Sequence, residues 1–300
     1  MLIEIRHVTR YRYDQQARYN VQSLRLTPCA LESQRIVAWE IKAPGIERAA
    51  KFRDGFGNTV HVTSLASPHD EVVIEASGLV ETFDRAGVLK GYAEVAPTRV
   101  FMRETPLTEP DEAIRALAAG IKDADPIGRL HELMHTVREK VGYEIGATHA
   151  RTTAAEALQR GSGVCQDHAH VFVSAARVLG YPARYVAGYF VAGDDPTCEA
   201  SEAAHAWAEA FVPALGWIGF DAANGFCPTD RYVRVACGLD AQSAAPVRGS
   251  RSGGREETLD VVVEVQQQQQ AQSQSQSLSA SGQQQKQGGG QQQQAAARSK

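Results

Sequence analysis

Apolar residues recur along this chain with two different periods, and the change from one to the other divides it. Up to about residue 80 the pattern is of short β-favouring runs: Leu2-Ile3-Glu4-Ile5, Val37 to Ile41, Val60-His61-Val62 and Val72-Val73-Ile74. Turn residues separate them, among them Asp54-Gly55-Phe56-Gly57-Asn58, and no long helical pattern interrupts the segment. This reads as a compact β domain over residues 1–95. After about residue 95 the spacing becomes helical. A helix is predicted to begin at Pro110-Asp111-Glu112, with Ile114, Leu117 and Ala118 on one face. A second, from about Pro126 to Val141, carries Leu130, Leu133, Met134, Val137 and Val141 as its apolar stripe. Thr152 or Thr153 caps a short third helix through Leu158. A fourth opens at Cys165 and buries Ala169, Phe172, Val173, Ala176 and Leu179, ending where Gly180 turns the chain and Pro182 prevents continuation.

Strands return at Arg184 to Val191, Ala204 to Val212 and Trp217 to Asp221, the last two joined through Pro213-Ala214-Leu215-Gly216. A final β run, Thr258 to Val265, could join either sheet. Helices followed by an antiparallel sheet predict an α+β core over residues 96–265 rather than a doubly wound one. From Gln266 to Lys300 the chain is mostly Gln, Ser, Gly and Ala with no aromatic residue. It lacks the apolar content to offset the entropy of ordering, so a disordered tail is expected.

Composition narrows the function. The 300 residues hold 31 Lys and Arg against 35 Asp and Glu; the tail takes three of the basic residues, leaving 28 against 35 and a net charge of −7 on residues 1–265. That balance disfavours nucleic acid as a partner. The five cysteines, at 29, 165, 198, 227 and 237, form neither a disulfide framework nor a C-x-x-C knuckle. The first residues, M-L-I-E-I-R-H, lack the apolar run of a secretory leader, and no stretch is long enough to span a bilayer. A cytoplasmic protein without membrane contact is expected.

The candidate chemistry converges on Cys165 in G-S-G-V-C-Q-D-H-A-H. Unpaired amides at a helix start favour thiolate, while Gly161 and Gly163 leave the sulfur uncrowded. The Cys165 amide and a neighbouring donor such as Gln166 could face a developing oxyanion. His205 opens an alternating strand with Trp207, Glu209 and Phe211 on the same face, and is placed to take the thiol proton and return it to a leaving amine. Asp221 or Asn224 would orient it. An idealised hairpin with a four-residue turn puts Asn224 opposite His205, and Asp221 needs a bulge or a longer turn. His168 and His170 follow the thiol on its helix without a carboxylate partner fixed by spacing, and read as packing or surface residues, with Asp167 as a first-turn acid.

One rival motif is present. His131-Glu132-Leu133-Met134-His135 matches H-E-x-x-H, with Glu156 as the available third ligand of a zinc site. It borders the packing stripe of its helix, and structural histidines are the expected reading.

Two segments together carry a family resemblance: G-S-G-V-C-Q-D-H-A-H through R-Y-V-A-G-Y, and H-A-W-A-E-A-F-V-P-A-L-G-W-I-G-F-D-A-A-N-G. They resemble the bacterial branch of the transglutaminase-like superfamily, whose core is similar to papain-type cysteine hydrolases. Y-R-Y-D near residue 11, L-R-L-T-P near 24 and D-G-F-G-N at 54–58 resemble the β domain that accompanies it. The resemblance implies a Cys165, His205, Asp221 triad and no cofactor. Ala222 stands where many relatives have proline, and Gly238-Leu239-Asp240-Ala241 departs from a frequent G-R-D-Y. It further implies thiol-dependent hydrolysis of an amide or peptide bond through a thioester, on a peptide or protein substrate. Amine transfer to protein glutamine, or deamidation, is the enzymatic alternative; a non-catalytic peptide-binding or scaffolding role is the other. Trp207, Tyr189 and Trp217 are candidates to line the cleft.

Overall fold

The computed structural model describes residues 1–192 and 204–268. Cys198 and nearly all of the expected Gln-rich tail lie outside the described residues. A first antiparallel sheet is organised around one strand far longer than the opening apolar run indicates: β1, Leu2–Leu24. Ile3, Ile5, Tyr13 and Ala17 are buried along it, because alternate residues of an extended chain return to the same face. The sheet also contains β2 (Gln34–Lys42), β3 (Ala50–Arg53), β4 (Thr59–Leu65) and β5 (His69–Thr82), in the order β2-β5-β1-β4-β3.

The helices follow. In α1 (Glu112–Gly120) the Asp111 carboxylate accepts the Ile114 amide, and in α2 (Pro126–Lys140) the Asp125 carboxylate accepts that of Gly128. These caps satisfy amides that have no carbonyl partner in a first turn. The short parallel pair β6 (Gly142–Tyr143) and β7 (Ser162–Gly163) brackets α3 (Ala154–Arg160), which is capped reciprocally by Thr153 and Glu156. Helix α4 (Cys165–Val178) is the centre of the core: every residue from Asp167 to Arg177 is buried. Its Val171, Phe172 and Ala176 pack with Leu130, Leu133 and Val137 of α2 and with Phe220. Emptying the Phe172 position would cost about 3–5 kcal/mol, the usual range for an aromatic removed from a close-packed interior.

Four antiparallel strands back α4: β8 (Ala183–Phe190), β9 (Ala204–Val212), β10 (Gly216–Phe220) and β11 (Tyr232–Gly238), in the order β10-β9-β8-β11. The chain then returns to its beginning. Strands β12 (Val247–Gly253) and β13 (Glu257–Gln267) pair with the second and first halves of β1. The last β run therefore joins the first sheet.

The two sheets meet at β11. The Gln34 carboxamide donates to the Arg234 carbonyl and accepts its amide, both at 2.8 Å. The Asn58 carboxamide does the same for Cys237, again at 2.8 Å on each side. Each side chain thus imitates a strand neighbour along an edge that would otherwise bury unpaired backbone groups. Ile3, Ile5 and Val80 fill the space beneath, against Tyr189, Val233 and Val235. The fold is α+β: an antiparallel N-terminal sheet, then a helical core on a second antiparallel sheet. Among the described residues no helix is long and apolar enough to cross a membrane.

Candidate active site

The thiol is presented by a clamp built from its own helix. Asp167 reaches back so that one carboxylate oxygen accepts the Val164 amide at 2.8 Å and the Thr148 hydroxyl at 2.6 Å. A Cβ on Gly163 would lie 2.7 Å from the Asp167 side chain, so this close return requires glycine. Asp167 is therefore the cap that fixes the helix start, beyond the favourable charge expected there. Cys165 becomes the first residue of α4, 8% exposed at the mouth of a cleft of about 270 Å³.

His168 and His170 both turn inward. The His168 ring lies between the Val164 and Val141 carbonyls, at 2.9 and 2.7 Å. His170 Nε2 accepts the Ala241 amide at 3.0 Å, and burial pushes its pKa down to about 4. Both are packing residues. The His170 ring lies against that of Tyr185, with centroids 5.1 Å apart, and Tyr185 is packed beside Cys165. Burial, followed by the neighbouring Cys165 and Asp167, raises the Tyr185 pKa well above its ordinary value, so its hydroxyl keeps its proton.

His205 lies near the start of β9, and its Nε2 is 2.7 Å from Asp221 Oδ2. Burial disfavours the charged ring, but the charges of Asp221 and Cys165 and the hydrogen bond to Asp221 overcome it and push the pKa up to about 10. Nδ1 is buried without a well-formed hydrogen bond. That nitrogen remains available on an imidazole already influenced by the thiol.

The structure gives Asp221 and Asn224 different tasks. Val212 pairs with Gly216, so Pro213, Ala214 and Leu215 make a three-residue turn, and Gly216 takes a φ of 88° to close it. The idealised register assumed one residue more. Strand β10 then ends at Phe220, and Asp221 starts a tight return that bridges to Phe226. Its Oδ1 accepts the Ala223 and Asn224 amides, at 3.0 and 3.2 Å. Its Oδ2 accepts the Asn224 carboxamide at 2.8 Å and the Tyr232 hydroxyl at 2.6 Å besides meeting His205. Burial alone would raise this carboxyl; His205 and the donors around it hold it below the usual carboxylate range. Asn224 orients Asp221, and Asp221 meets the histidine.

Tyr232, Tyr185 and His7 were not anticipated from the sequence. Tyr232 begins an alternating run, Tyr232-Val233-Arg234-Val235, which is its one local signal. Of the three aromatics proposed for the cleft, Tyr189 lines it. Trp207 packs with Val186, Phe190 and Tyr232, and Trp217 with Phe101 and Leu239.

The H-E-x-x-H residues have other partners. Glu132 accepts the Lys122 and Asp123 amides at 2.9 and 2.8 Å, and His131 meets the Phe220 ring edge-on at 5.4 Å. Glu156 is committed to its capping box and His135 is exposed. Among the described residues no group of three or more His, Cys, Asp or Glu side chains is placed to hold a metal ion.

Comparison with known proteins follows the same division of the chain. Residues 3–81 match the bacterial transglutaminase-like N-terminal region, and residues 115–222 match the transglutaminase-like superfamily. The chain belongs to the bacterial transglutaminase-like superfamily. An uncharacterized protein of Mycobacterium leprae is 28% identical over 276 residues, spanning 86% of this chain and 96% of its own. One from Mycobacterium bovis is 26% identical over 286 residues, spanning 87% and 91%. A candidate cysteine protease from Cytophaga hutchinsonii shares the fold at a TM-score of 0.70 and 21% identity, covering 89% of this chain and 90% of that one.

The periplasmic domain of TgpA from Pseudomonas aeruginosa has a weaker likeness: TM-score 0.37, 16% identity, 72% of this chain and 87% of that one. The cytoplasmic expectation does not stand, because it rested on cysteine usage and on the first residues of the sequence, and neither is ground for a compartment. Scattered cysteines and a short apolar start do not encode a compartment. A likeness at that TM-score assigns none to this chain.

Proposed function

We propose that this protein is a thiol-dependent hydrolase of amide or peptide bonds, with Cys165 as nucleophile, His205 as acid and base, and Asp221 as the group that orients His205. The observation that carries this reading is the buried 2.7 Å contact of His205 with Asp221 on an imidazole whose pKa also responds to Cys165. The thiolate attacks the amide carbonyl, and the oxyanion faces first-turn amides of α4 with the Tyr185 hydroxyl as a second donor. His205 gives its proton to the nitrogen as the carbon–nitrogen bond breaks, leaving a thioester and a free amine. A water that loses a proton to His205 then attacks the thioester, releasing the acid and restoring the thiolate–imidazolium pair. In this reading the β domain of residues 1–95, joined by β12 and β13, closes one side of the cleft of the helical core.

Membership of the superfamily supports a second reading, in which an amine replaces water in the last step. The thioester is common to both. Ammonia release with a covalent glutamine–lysine product marks transfer, whereas a free carboxylate without cross-linking marks hydrolysis.

The test is iodoacetamide labelling of the wild-type chain and His205→Ala between about pH 5 and pH 9, with the site read by mass spectrometry. Rapid labelling of Cys165 that depends on His205 is the expected result. Slow labelling, equal in both proteins, would remove the activated thiol and favour a binding role.

A further inference from the structure

The cleft has a second polar centre, away from Cys165 and supplied in part by the first sheet. His7 of β1 and Tyr189 of β8 line the same cavity as Cys165 and are 5% and 3% exposed. His7 Nδ1 is 2.9 Å from the Tyr189 hydroxyl, and the Thr9 hydroxyl is 3.1 Å from Nε2. Tyr185, Ala187 and Tyr189 alternate onto one face of β8, so a floor runs from the thiol to this relay. Four residues of strand span about 13 Å.

Two properties of this floor restrict what can lie on it. None of the described residues around the cavity is Asp, Glu, Lys or Arg. A charged group brought to the relay itself would lose hydration, and the His7, Thr9 and Tyr189 side chains offer it no counter-ion. The relay is itself uncharged, since burial pushes the His7 pKa down to about 4. A neutral imidazole donates through one nitrogen and accepts through the other. With Thr9 donating to Nε2, His7 donates to Tyr189 and the phenol proton is free for a substrate carbonyl. With the tautomer reversed, Tyr189 donates to His7 and its oxygen is free for a substrate N–H. An amide group offers both kinds of partner.

We infer that Tyr189, with His7 and Thr9 setting the direction of its hydrogen bond, forms a subsite for an uncharged amide group of a peptide donor whose neighbouring side chains are also uncharged. The inference rests on the reading of Cys165 as nucleophile. Because the subsite stands about 13 Å along β8 from Tyr185, the donor that reaches it is longer than one residue.

The experiment measures Cys165 modification in the full chain by acetylated chloromethyl ketones, with iodoacetamide as the small reference. Single-residue and tetrapeptide probes carry leucine, glutamine, glutamate or lysine. Neutral tetrapeptides are expected to react at least about tenfold faster than charged ones, given the cost of an unpaired charge in the cleft. Tyr189→Phe, which keeps the ring, is expected to raise the concentration for half-maximal rate about fivefold or more with the neutral tetrapeptide, the loss of one neutral hydrogen bond. Its maximal rate, its single-residue reaction and its iodoacetamide reaction stay within about twofold of wild type, the last also reporting an intact site. His7→Gln shows the same split by disturbing the relay.

Equal rates with charged probes, or an unchanged tetrapeptide reaction in both variants, overturn the subsite while leaving the nucleophile in place. Loss of maximal rate and iodoacetamide reactivity together would make the pair merely structural. A wild-type Cys165 without His205-dependent reactivity removes the parent reading and this inference with it.

Discussion

One face of β9 carries two buried ionisable groups, His205 near its start and Glu209 four residues further on, and their surroundings differ in kind. Glu209 is saturated. Arg184 Nε donates to it at 2.5 Å, and Arg234 donates through Nε and a terminal nitrogen at 2.8 and 3.2 Å. Arg184 also reaches Glu94 at 3.0 Å and lies 3.9 Å over the Trp217 ring. Burial alone would raise the Glu209 pKa, but the two guanidinium groups bring it below its ordinary value. His205 is held on one nitrogen only, and it faces a cavity that also exposes a thiol. Buried charge by itself is thus no sign of chemistry; an open hydrogen-bonding position beside space for a substrate is.

Predictions can break this contrast in descending order of effect. Cys165→Ala is expected to lower amide turnover by about 10⁴-fold or more, the scale for removing a nucleophile, with little change in the unfolding midpoint. Turnover at the level of wild type would end the proposed mechanism. At the other end of the strand, Glu209→Ala takes the shared carboxylate from two buried cations, of which Arg184 keeps Glu94, and should cost about 3–5 kcal/mol in urea-induced unfolding. A cost near zero would show that the cluster rearranges and is not the fixed architecture described.

The pH response separates the two ends by sign. His205 has a raised folded pKa, so its stabilising contribution is complete below its ordinary value near 6.5 and is lost as pH rises through about 10. Turnover should decline over the same alkaline interval as the imidazolium that protonates the leaving amine disappears. Glu209 has a lowered folded pKa, so its contribution is present above its ordinary value of 4.5 and is lost in acid. Rate and unfolding profiles of Glu209→Gln should therefore keep the alkaline limb and lose part of the acid one. An alkaline limb near 6.5 would contradict the charge environment of His205.

Asn224→Ala removes one donor to Asp221 but leaves the backbone amides and Tyr232 in place. A loss of about 1 kcal/mol, or roughly fivefold in turnover, is expected and is measurable as kcat at constant KM. The smallest effect belongs to His135→Ala, expected to change turnover by less than about twofold because this exposed side chain touches neither cluster. A large loss there, restored by added zinc, would revive the metal reading.

The helices were legible because their signals are local. Apolar spacing marked the buried face of α2, Asp111 and the Thr152-Thr153 pair marked helix starts, and the glycines before Cys165 marked its turn. Strand β1 was only partly legible. Residues after Ile5 alternate imperfectly, and their partners come from β5 and from strands near the far end of the described chain. Tyr232 was missed for a similar reason, since it matters through Asp221, eleven residues earlier, after the chain has turned back.

Sequence alone determined that Cys165 would stand at a glycine-led helix start, that His205 would lie near the beginning of an alternating strand, and that β-rich and helical regions would follow one another. Each of these depends on neighbours within a few turns or a single strand. Tertiary structure decided whether Asp221 or Asn224 met the histidine, because the tight return after Phe220 and the donors of Asn224 and Tyr232 set the place of Asp221. It also decided that His7 would reach the cleft, since the packing of the first sheet against β8 and β11 brings together residues that no local period relates.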